Sequence, residues 1–329
     1  MKNLIEKRSK TALKILNYNK AADTLNCLRS VVLHNSAPVK TVVVDNGSRE
    51  DERRLLAEVM DTCFPDGGWT LLAEGGSTRG VDTVLLQLDD NVGYARGNNA
   101  GLRVVEDDDE VDRVMVLNND ILFVEDIIPR LIACADALPQ CAVMSPVLYK
   151  KGMEEIDYNC ARRNASVGDI VRTNLLHYFW RMMGKTDMDG QKHRYLLKQK
   201  DGMGEIEEIE LPSGACMLVG KRLFKEMGYF DPGTFLYYEE NILYAVTRRL
   251  GRKNYLCTTA RCIHLGAATM AKMPASLALV RHMLRSERYY VARFSGASWG
   301  MRLLHKMSQM VYWWMLNVQK RVVPCGKGR

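Results

Sequence analysis

The sequence predicts an α/β fold built on a mostly parallel sheet flanked by helices. In its first half, short apolar segments alternate with stretches of helical periodicity, which is the pattern of parallel strands joined by helical crossovers. The 329 residues are 47% hydrophobic and 26% charged, an ordinary globular balance that excludes a disordered or collagen-like chain. This length suits one large domain or two unequal ones.

The predicted elements of the first half follow one another in a regular order. They are strand 12–16, helix 22–33, strand 40–44, helix 50–60, strand 83–88, helix 98–105 and strand 111–117. Residues 150–208 are polar and weakly periodic, with partial helix around 169–183. Order resumes in a strand-like stretch at 209–219, broken by Pro212-Ser213-Gly214, and in a helix at 221–227.

Polar side chains follow each of the four predicted strands. These strand ends are Asn17-Tyr18-Asn19, Asp45-Asn46-Gly47-Ser48, Asn91-Val92-Gly93-Tyr94 and Asn118-Asn119-Asp120. Each one alone is typical of a turn or a helix N-cap. Because ligands of such sheets lie beyond the carboxyl ends of the strands, four polar ends at one edge favour a ligand site there.

Cysteine usage and the N-terminus indicate a cytosolic protein. The nine cysteines include no C-x-x-C pair, which argues against a zinc ribbon and a secreted disulfide framework. Residues 1–10 include four basic residues and no apolar stretch of 7 to 15 residues, so no secretory signal is predicted. No apolar run of about 18 residues occurs, and a membrane-spanning helix is not expected.

Positive charge is concentrated at the C-terminus. The net charge is 46 − 39 = +7, but residues 281–329 hold ten Lys or Arg and one acid, so they carry +9 and residues 1–280 carry −2. Apolar residues recur at helical spacing over 301–323, with basic residues elsewhere around the helix. This pattern is typical of a helix on an anionic membrane surface; the alternative is a helix packed on the domain or on a partner subunit. No nucleic-acid-binding motif is present, and no nucleic-acid partner is predicted.

Several segments together carry a family resemblance. They are LNYN (16–19), VVVDNGS (42–48), NVGYARGNNAG (91–101), VLNND (116–120), SGACMLV (213–219), GYFDPGTFLYYEENILYAVTRRLG (228–251) and IHLGAAT (263–269). In their order and spacing the chain resembles the family 2 glycosyltransferases with the glycosyltransferase-A fold, particularly the rhamnosyltransferase-like branch of bacterial surface polysaccharide synthesis. The resemblance implies a catalytic domain at 1–270 that includes a variable acceptor-side insertion at 150–208, and a basic amphipathic helical region at 271–329.

The resemblance places a sugar nucleotide across the strand ends. Tyr18 would lie against the base, Asn17 and Asn19 would shape its pocket, and Asp45 would accept hydrogen bonds from base or ribose. Gly93 would permit close backbone approach. The remaining donor-binding residues that it implies are Arg96, Asn99 and Asn118.

The resemblance also implies a divalent metal and a general base. Asn118-Asn119-Asp120 stands where the family has its D-x-D motif, so Asp120 would bind Mg²⁺ or Mn²⁺. His264 would contact the metal or the diphosphate, and a buried structural histidine is the competing interpretation. Glu240 aligns with the acid that deprotonates the acceptor hydroxyl, with Glu239 as the alternative.

The function that follows is inverting transfer of a sugar, with rhamnose one candidate. The donor would be a dTDP- or UDP-linked sugar and the acceptor a lipid-linked or growing cell-surface glycan. We expect a cytoplasmic protein at the inner face of the plasma membrane, whose C-terminal helices could also pair two copies of the chain. The alternatives are a silent glycan-binding scaffold that retains the fold and, more weakly, a nucleotidyltransferase.

Overall fold

The computed structural model describes residues 9–78, 80–182, 195–198, 202–266 and 276–322. The first half consists of β1 (Lys10–Asn17), α1 (Ala21–His34), β2 (Val39–Asn46), α2 (Glu50–Cys63), β3 (Thr70–Leu72), β4 (Thr83–Leu88), α3 (Tyr94–Val104) and β5 (Val111–Asn118). The middle consists of β6 (Ile121–Phe123), α4 (Ile127–Asp136), β7 (Cys141–Tyr149), β8 (Ala161–Arg162), α5 (Val167–Met182), β9 (Ile206–Ile209), β10 (Leu211–Pro212) and β11 (Cys216–Gly220). The last part consists of α6 (Lys221–Glu226), α7 (Glu239–Arg249), β12 (Lys253–His264), α8 (Leu277–Arg293) and α9 (Trp299–Val322).

One mixed sheet organises these elements. Its strand order in the described residues is β3-β4-β2-β1-β5-β11-β7-β12-β6, with β9 also paired to β12. The five strands at one end of this order, β3, β4, β2, β1 and β5, are parallel to one another. Strand β11 runs antiparallel to both of its neighbours, β5 and β7. Asn17 is paired with Asp45, and Leu16 with Asn118. This register brings the ends of β1, β2 and β5 to one edge, as predicted from the sequence.

Helices cover both faces of the sheet and bury its apolar side chains. Leu13 and Ile15 pack in a cluster with α1, α2 and α4, while Ala12 belongs to the cluster beneath α3, α6 and α7. The alternation follows from the two-residue period of a strand. Because both faces are buried, the strands read as nearly continuous hydrophobic runs in the sequence.

The predicted elements are confirmed with shifts at their ends. The helix expected from residue 98 begins at Tyr94, because Gly93 turns the chain with a φ of +86° directly before it. The strand expected over 209–219 is divided into β10 and β11 by the turn at residues 213–215. No sequence pattern had predicted α4, β7 or β12; the two strands complete the second half of the sheet, and α4 packs against it.

Parts of the predictions fall on residues that the structure does not describe. These residues are the N-terminal segment 1–8, residues 183–194 and 199–201 of the predicted insertion, and residues 267–275 and 323–329 of the predicted C-terminal part. In the ranges that are described, none of the helices combines the length and the apolar character that crossing a bilayer requires.

Candidate active site

The ends of β1, β2 and β5 are joined by a buried hydrogen-bond network. The Asn17 amide donates to Asp45 Oδ1 at 3.1 Å and lies 3.3 Å from Ser48 Oγ, while its oxygen accepts from Thr24 and from Asn119. Both polar ends of Asn17 are therefore engaged, and the residue is fully buried. Asn17 therefore supports the strand edge from within the protein, and its part in shaping the donor pocket stays a prediction.

Tyr18 and Asn19 lie above this network. Tyr18 is 47% exposed, so its ring is free to receive a flat ligand at the strand edge. Asn19 has a left-handed φ of 52°, and it is held by a backbone N–H donated to Ser48 Oγ at 2.8 Å and by the Arg49 N–H that its own side chain accepts at 2.8 Å. The loop after β1 is thus fixed in the conformation that exposes Tyr18.

Three of the residues implied as donor contacts lie against the loop before α7. The Asn99 amide exchanges two hydrogen bonds with the backbone of Phe230, at 2.7 and 3.0 Å. Arg96 donates to the Pro232 carbonyl at 3.3 Å. Gly93 is needed because a Cβ there would clash with the backbone of Phe235. All three hold the loop before α7 against α3. Like the residues after β1 and β2, they do not line the cleft described next, and their part in donor binding stays a prediction.

An open cleft of about 710 Å³ lies beside this edge. It brings together five of the predicted site residues, which come from the end of β5, the start of α7 and the end of β12: Asn118, Asp120, Glu239, Glu240 and His264. They are separated by up to 146 positions in the sequence (264 − 118). The sheet topology is therefore what makes one site of them.

Asp120, His264 and Asp157 form a chain of polar groups on one wall of the cleft. His264 Nε2 lies 3.6 Å from Asp120 Oδ1, and its Nδ1 lies 2.9 Å from Asp157 Oδ2. Burial lowers the pKa of the imidazole, but the hydrogen bond to Asp157 and the charge of Asp120 outweigh it, so the pKa is raised. Burial opposes ionisation of Asp157 as well, yet the hydrogen bond with His264 holds the pKa of that carboxyl below its usual value.

This wall offers two side chains, Asp120 and His264, that could bind a divalent cation. Asp120 Oδ1 is buried and makes no hydrogen bond to any described residue, and its ion-pair partner in that part of the chain is His264 Nε2 at 3.6 Å. Among the described residues no group of three His, Cys, Asp or Glu side chains could hold a metal. A cation here would take Asp120 and His264 from the protein and its other ligands from diphosphate oxygens and water, the arrangement typical of Mg²⁺ with phosphates.

Glu240 lies at the opening of α7 and faces the same cleft. Its Oε1 accepts the Gly214 N–H at 3.1 Å and lies 3.6 Å from an Arg162 guanidinium nitrogen. Tyr94 donates its hydroxyl to the Gly214 carbonyl at 2.6 Å. A side chain at Gly214 would meet both Tyr94 Oη and Glu240 Oε1. The turn at Gly214 therefore positions the Glu240 carboxylate.

Glu239 differs from its neighbour in environment. It is buried, and its Oε1 makes no hydrogen bond within the described part of the chain. Burial, together with the charge of Glu240, raises the pKa of Glu239 from 4.5 to about 8. At neutral pH this carboxyl is therefore mostly protonated and holds no lone negative charge.

The cleft also contains residues that the sequence analysis did not single out. Asp157 precedes β8, and Arg162 and Arg163 follow on β8 and directly after it. All three belong to the weakly periodic 150–208 segment, where no pattern marks them. In the sequence they appear only as two adjacent arginines five positions after an Asp in a polar stretch. Without the fold this pattern does not indicate a site.

The comparisons with known proteins agree with this geometry. The family model described as glycosyl transferase family 2 matches residues 14–184, and the chain belongs to that family. The chain is 25% identical over 262 residues to N-acetylglucosaminyl-diphospho-decaprenol L-rhamnosyltransferase of Mycobacterium tuberculosis, covering 78% of this chain and 76% of that protein. It is 22% identical over 227 residues to the low-salt glycan biosynthesis hexosyltransferase Agl10 of Haloferax volcanii, covering 69% of this chain and 57% of that protein.

A solved structure shares the fold. The crystal structure of GalNAc-T7 with UDP, GalNAc and Mn²⁺ matches with a TM-score of 0.56 at 12% identity, covering 96% of this chain and 58% of that one. This likeness shows the glycosyltransferase-A-like architecture, a mostly parallel mixed sheet flanked by helices. The fold class predicted from the sequence is thereby confirmed.

Proposed function

We propose that the protein is a metal-dependent inverting glycosyltransferase that uses a nucleoside diphosphate sugar. The observation that carries the proposal is the shared cleft, which holds the Asp120 carboxylate on one wall and the Glu240 carboxylate on another. Sugar transfer by single displacement needs a site for the departing diphosphate and a base for the attacking hydroxyl. The two carboxylates match these two needs.

On the leaving-group side, Asp120 and His264 would hold Mg²⁺ or Mn²⁺. The cation, when bound, neutralises the charge that develops on the diphosphate as it leaves. Asp157 fixes the orientation of His264 by its contact with Nδ1, which leaves Nε2 directed toward Asp120. Asn118 contributes a neutral polar side chain to the same wall.

On the acceptor side, Glu240 would remove the proton from the attacking hydroxyl. A base must be ionised and reachable, and Glu240 lies at the cleft with a hydrogen bond from Gly214 and Arg162 close by. Glu239 also borders the cleft, but it is buried and its pKa is raised to about 8, so at neutral pH it is mostly protonated. We therefore assign the base to Glu240 and a structural part to Glu239.

The nucleotide, dTDP or UDP, would lie at the strand edge beside Tyr18, with the buried Asp45 beneath it. The relatives support the choice of substrate class: the mycobacterial protein is named for rhamnose transfer to a decaprenyl-diphospho-linked sugar, and the GalNAc-T7 crystal contains UDP and Mn²⁺. We propose rhamnose or another hexose as the sugar and a lipid-linked or growing glycan as the acceptor. The protein would work in the cytoplasm, at the inner face of the plasma membrane, with residues 1–270 as the catalytic domain and 150–208 as the acceptor-side segment.

The test is a transfer assay with dTDP- and UDP-sugars and a polyprenyl-diphospho-sugar acceptor. We expect glycosylated acceptor and free nucleoside diphosphate, and the Glu240→Gln protein should lose at least about 100-fold in rate. Release of pyrophosphate would instead indicate a nucleotidyltransferase. Folded protein that neither binds a nucleotide nor transfers a sugar would favour the alternative function, a silent glycan-binding scaffold.

A further inference from the structure

The C-terminal helix α9 buries three polar side chains on one face. His305, Ser308 and Gln309 are each 1% exposed. His305 and Gln309 lie 2.8 Å from Glu287 Oε1 on α8, and Asn174 of α5 also donates to that carboxylate, at 3.0 Å. These buried hydrogen bonds fix the rotation of α9 about its own axis, because turning the helix would strip every one of them.

The opposite side of α9 is apolar and exposed. At about 100° per residue the exposed apolar positions after the first turn fall within an arc of roughly 120°, and Trp299, which is 79% exposed, lies about 20° beyond it. They are Leu303, Leu304, Met307, Met310, Val311, Trp314 and Val318, of which Met310 is 63% and Trp314 65% exposed. We call these seven residues the outer face of α9. A surface helix normally has the reverse arrangement, with its apolar stripe toward the core.

The charge around the outer face favours a lipid surface over a second copy of the chain. Arg302 and Lys306 are exposed along one edge of the face, and α9 contains no Asp or Glu. Two copies pairing through this face would bring like charges together with no acid on either helix to offset them. An anionic bilayer offers apolar depth for Trp and Met and negative headgroups for the flanking cations.

The outer face also has a structural connection to the cleft. Helix α8 contributes Met283 to the cleft lining, and its Arg281 lies over the Trp313 ring of α9, with 5.2 Å to the centroid. One helix therefore borders both the cleft and α9.

We propose that the outer face of α9 docks the protein on an anionic lipid bilayer. The proposal deepens the proposed function by naming the surface that brings the enzyme to its lipid-linked acceptor. Docking is tested without sugar donor or acceptor. A protein that fails to bind vesicles can therefore be distinguished from one that fails to transfer a sugar.

The experiment measures partitioning of the full chain onto vesicles of phosphatidylcholine with and without 30% phosphatidylglycerol, by flotation. The test variant is Met307→Ser/Met310→Ser/Trp314→Gln. The matched control is Val32→Ser/Leu33→Gln on α1, where both apolar residues are also exposed. Because only exposed side chains change, all three proteins should unfold at the same temperature, and size-exclusion chromatography with light scattering gives the mass of each.

We expect wild type and control to bind the anionic vesicles and the test variant to bind at least tenfold more weakly. Raising the salt from 0.1 to 0.5 M should weaken wild-type binding, since the flanking cations are screened. Equal binding by wild type and test variant would overturn the proposal, as would equal binding to neutral and anionic vesicles. A wild-type dimer that the test variant converts to monomer, without vesicle binding by either, would show instead that the outer face is an interface between copies.

Discussion

Replacing Glu239 by Gln should remove one contribution to the pH dependence of the free energy of unfolding. The buried carboxyl has a pKa of about 8 in the folded protein against 4.5 as its ordinary value. Between these two values the folded chain holds a proton that the unfolded chain has lost, so wild-type stability falls as the pH rises through this window. Since one pKa unit corresponds to about 1.36 kcal/mol, the free energy of unfolding loses up to about 5 kcal/mol by pH 9.

The Glu239→Gln variant carries no such charge. At pH 5 its unfolding midpoint should lie close to that of the wild type, and by pH 9 it should exceed the wild type by several degrees. Differential scanning calorimetry of both proteins from pH 5 to 9 measures this difference. Glu226→Gln, which removes an exposed acid at the end of α6, is the matched control and should give a difference that does not change with pH. A Glu239→Gln difference that is flat across the range would refute the argument that burial holds this carboxyl protonated.

Three further predictions concern activity, metal binding and stability. Glu240→Gln should lose at least about 100-fold in transfer rate while keeping nucleotide affinity, and Glu239→Gln should stay within tenfold of wild type; the reverse ranking in the transfer assay would move the base to Glu239. Asp157→Asn should weaken Mn²⁺ binding in the presence of UDP by about 10- to 100-fold, because His264 loses the charged partner at Nδ1; unchanged affinity by calorimetric titration would show that Asp157 does not orient the histidine. Lys14→Met should stabilise the protein by about 1–3 kcal/mol at pH 7, because the fully buried Lys14 amine makes no hydrogen bond within the described residues and burial lowers its pKa well below 10.5. That gain should shrink as the pH rises toward 10, where the unfolded lysine also loses its proton, and a gain that grows with pH would contradict the argument.

The sequence was most informative about the first half of the fold. Strands β1, β2, β4 and β5 are buried on both faces, so they appear as short apolar runs that the alternation with helices identifies. The polar residues after them mark the edge where the site lies. The family resemblance assigned Asn118 and Asp120 to the site, and the structure brings both to the cleft beside this edge.

Sequence reasoning did not reveal contacts between distant parts of the protein. Asn99 and Arg96 were predicted to bind the donor, and in the structure both also bond to the backbone of the loop before α7. Likewise Asp157 is separated from His264 by 107 positions, and no local pattern joins them. Such long-range pairings depend on how β12 packs beside β7, which periodicity does not reveal.

The C-terminal helix shows a different limit. The apolar positions of α9 were recognised from their spacing, but spacing alone allows either face of a helix to be buried. The structure resolves this through Glu287, whose buried carboxylate binds the polar side of α9. Burial opposes ionisation of Glu287, but the hydrogen bonds from His305 and Tyr238 lower its pKa, so a charged group inside the protein determines which face points outward.

Thermal stabilisation by nucleotides tests the central claim most directly. The purified protein is heated with dTDP, UDP, GDP or ADP, each with and without Mn²⁺, alongside Asp120→Asn. We predict that dTDP or UDP raises the unfolding midpoint selectively and that Mn²⁺ enlarges the shift in wild type only; at 100 times Kd the stabilisation should be about 2.7 kcal/mol. Folded protein that none of the four nucleotides stabilises, with or without Mn²⁺, would contradict a sugar-nucleotide-dependent enzyme.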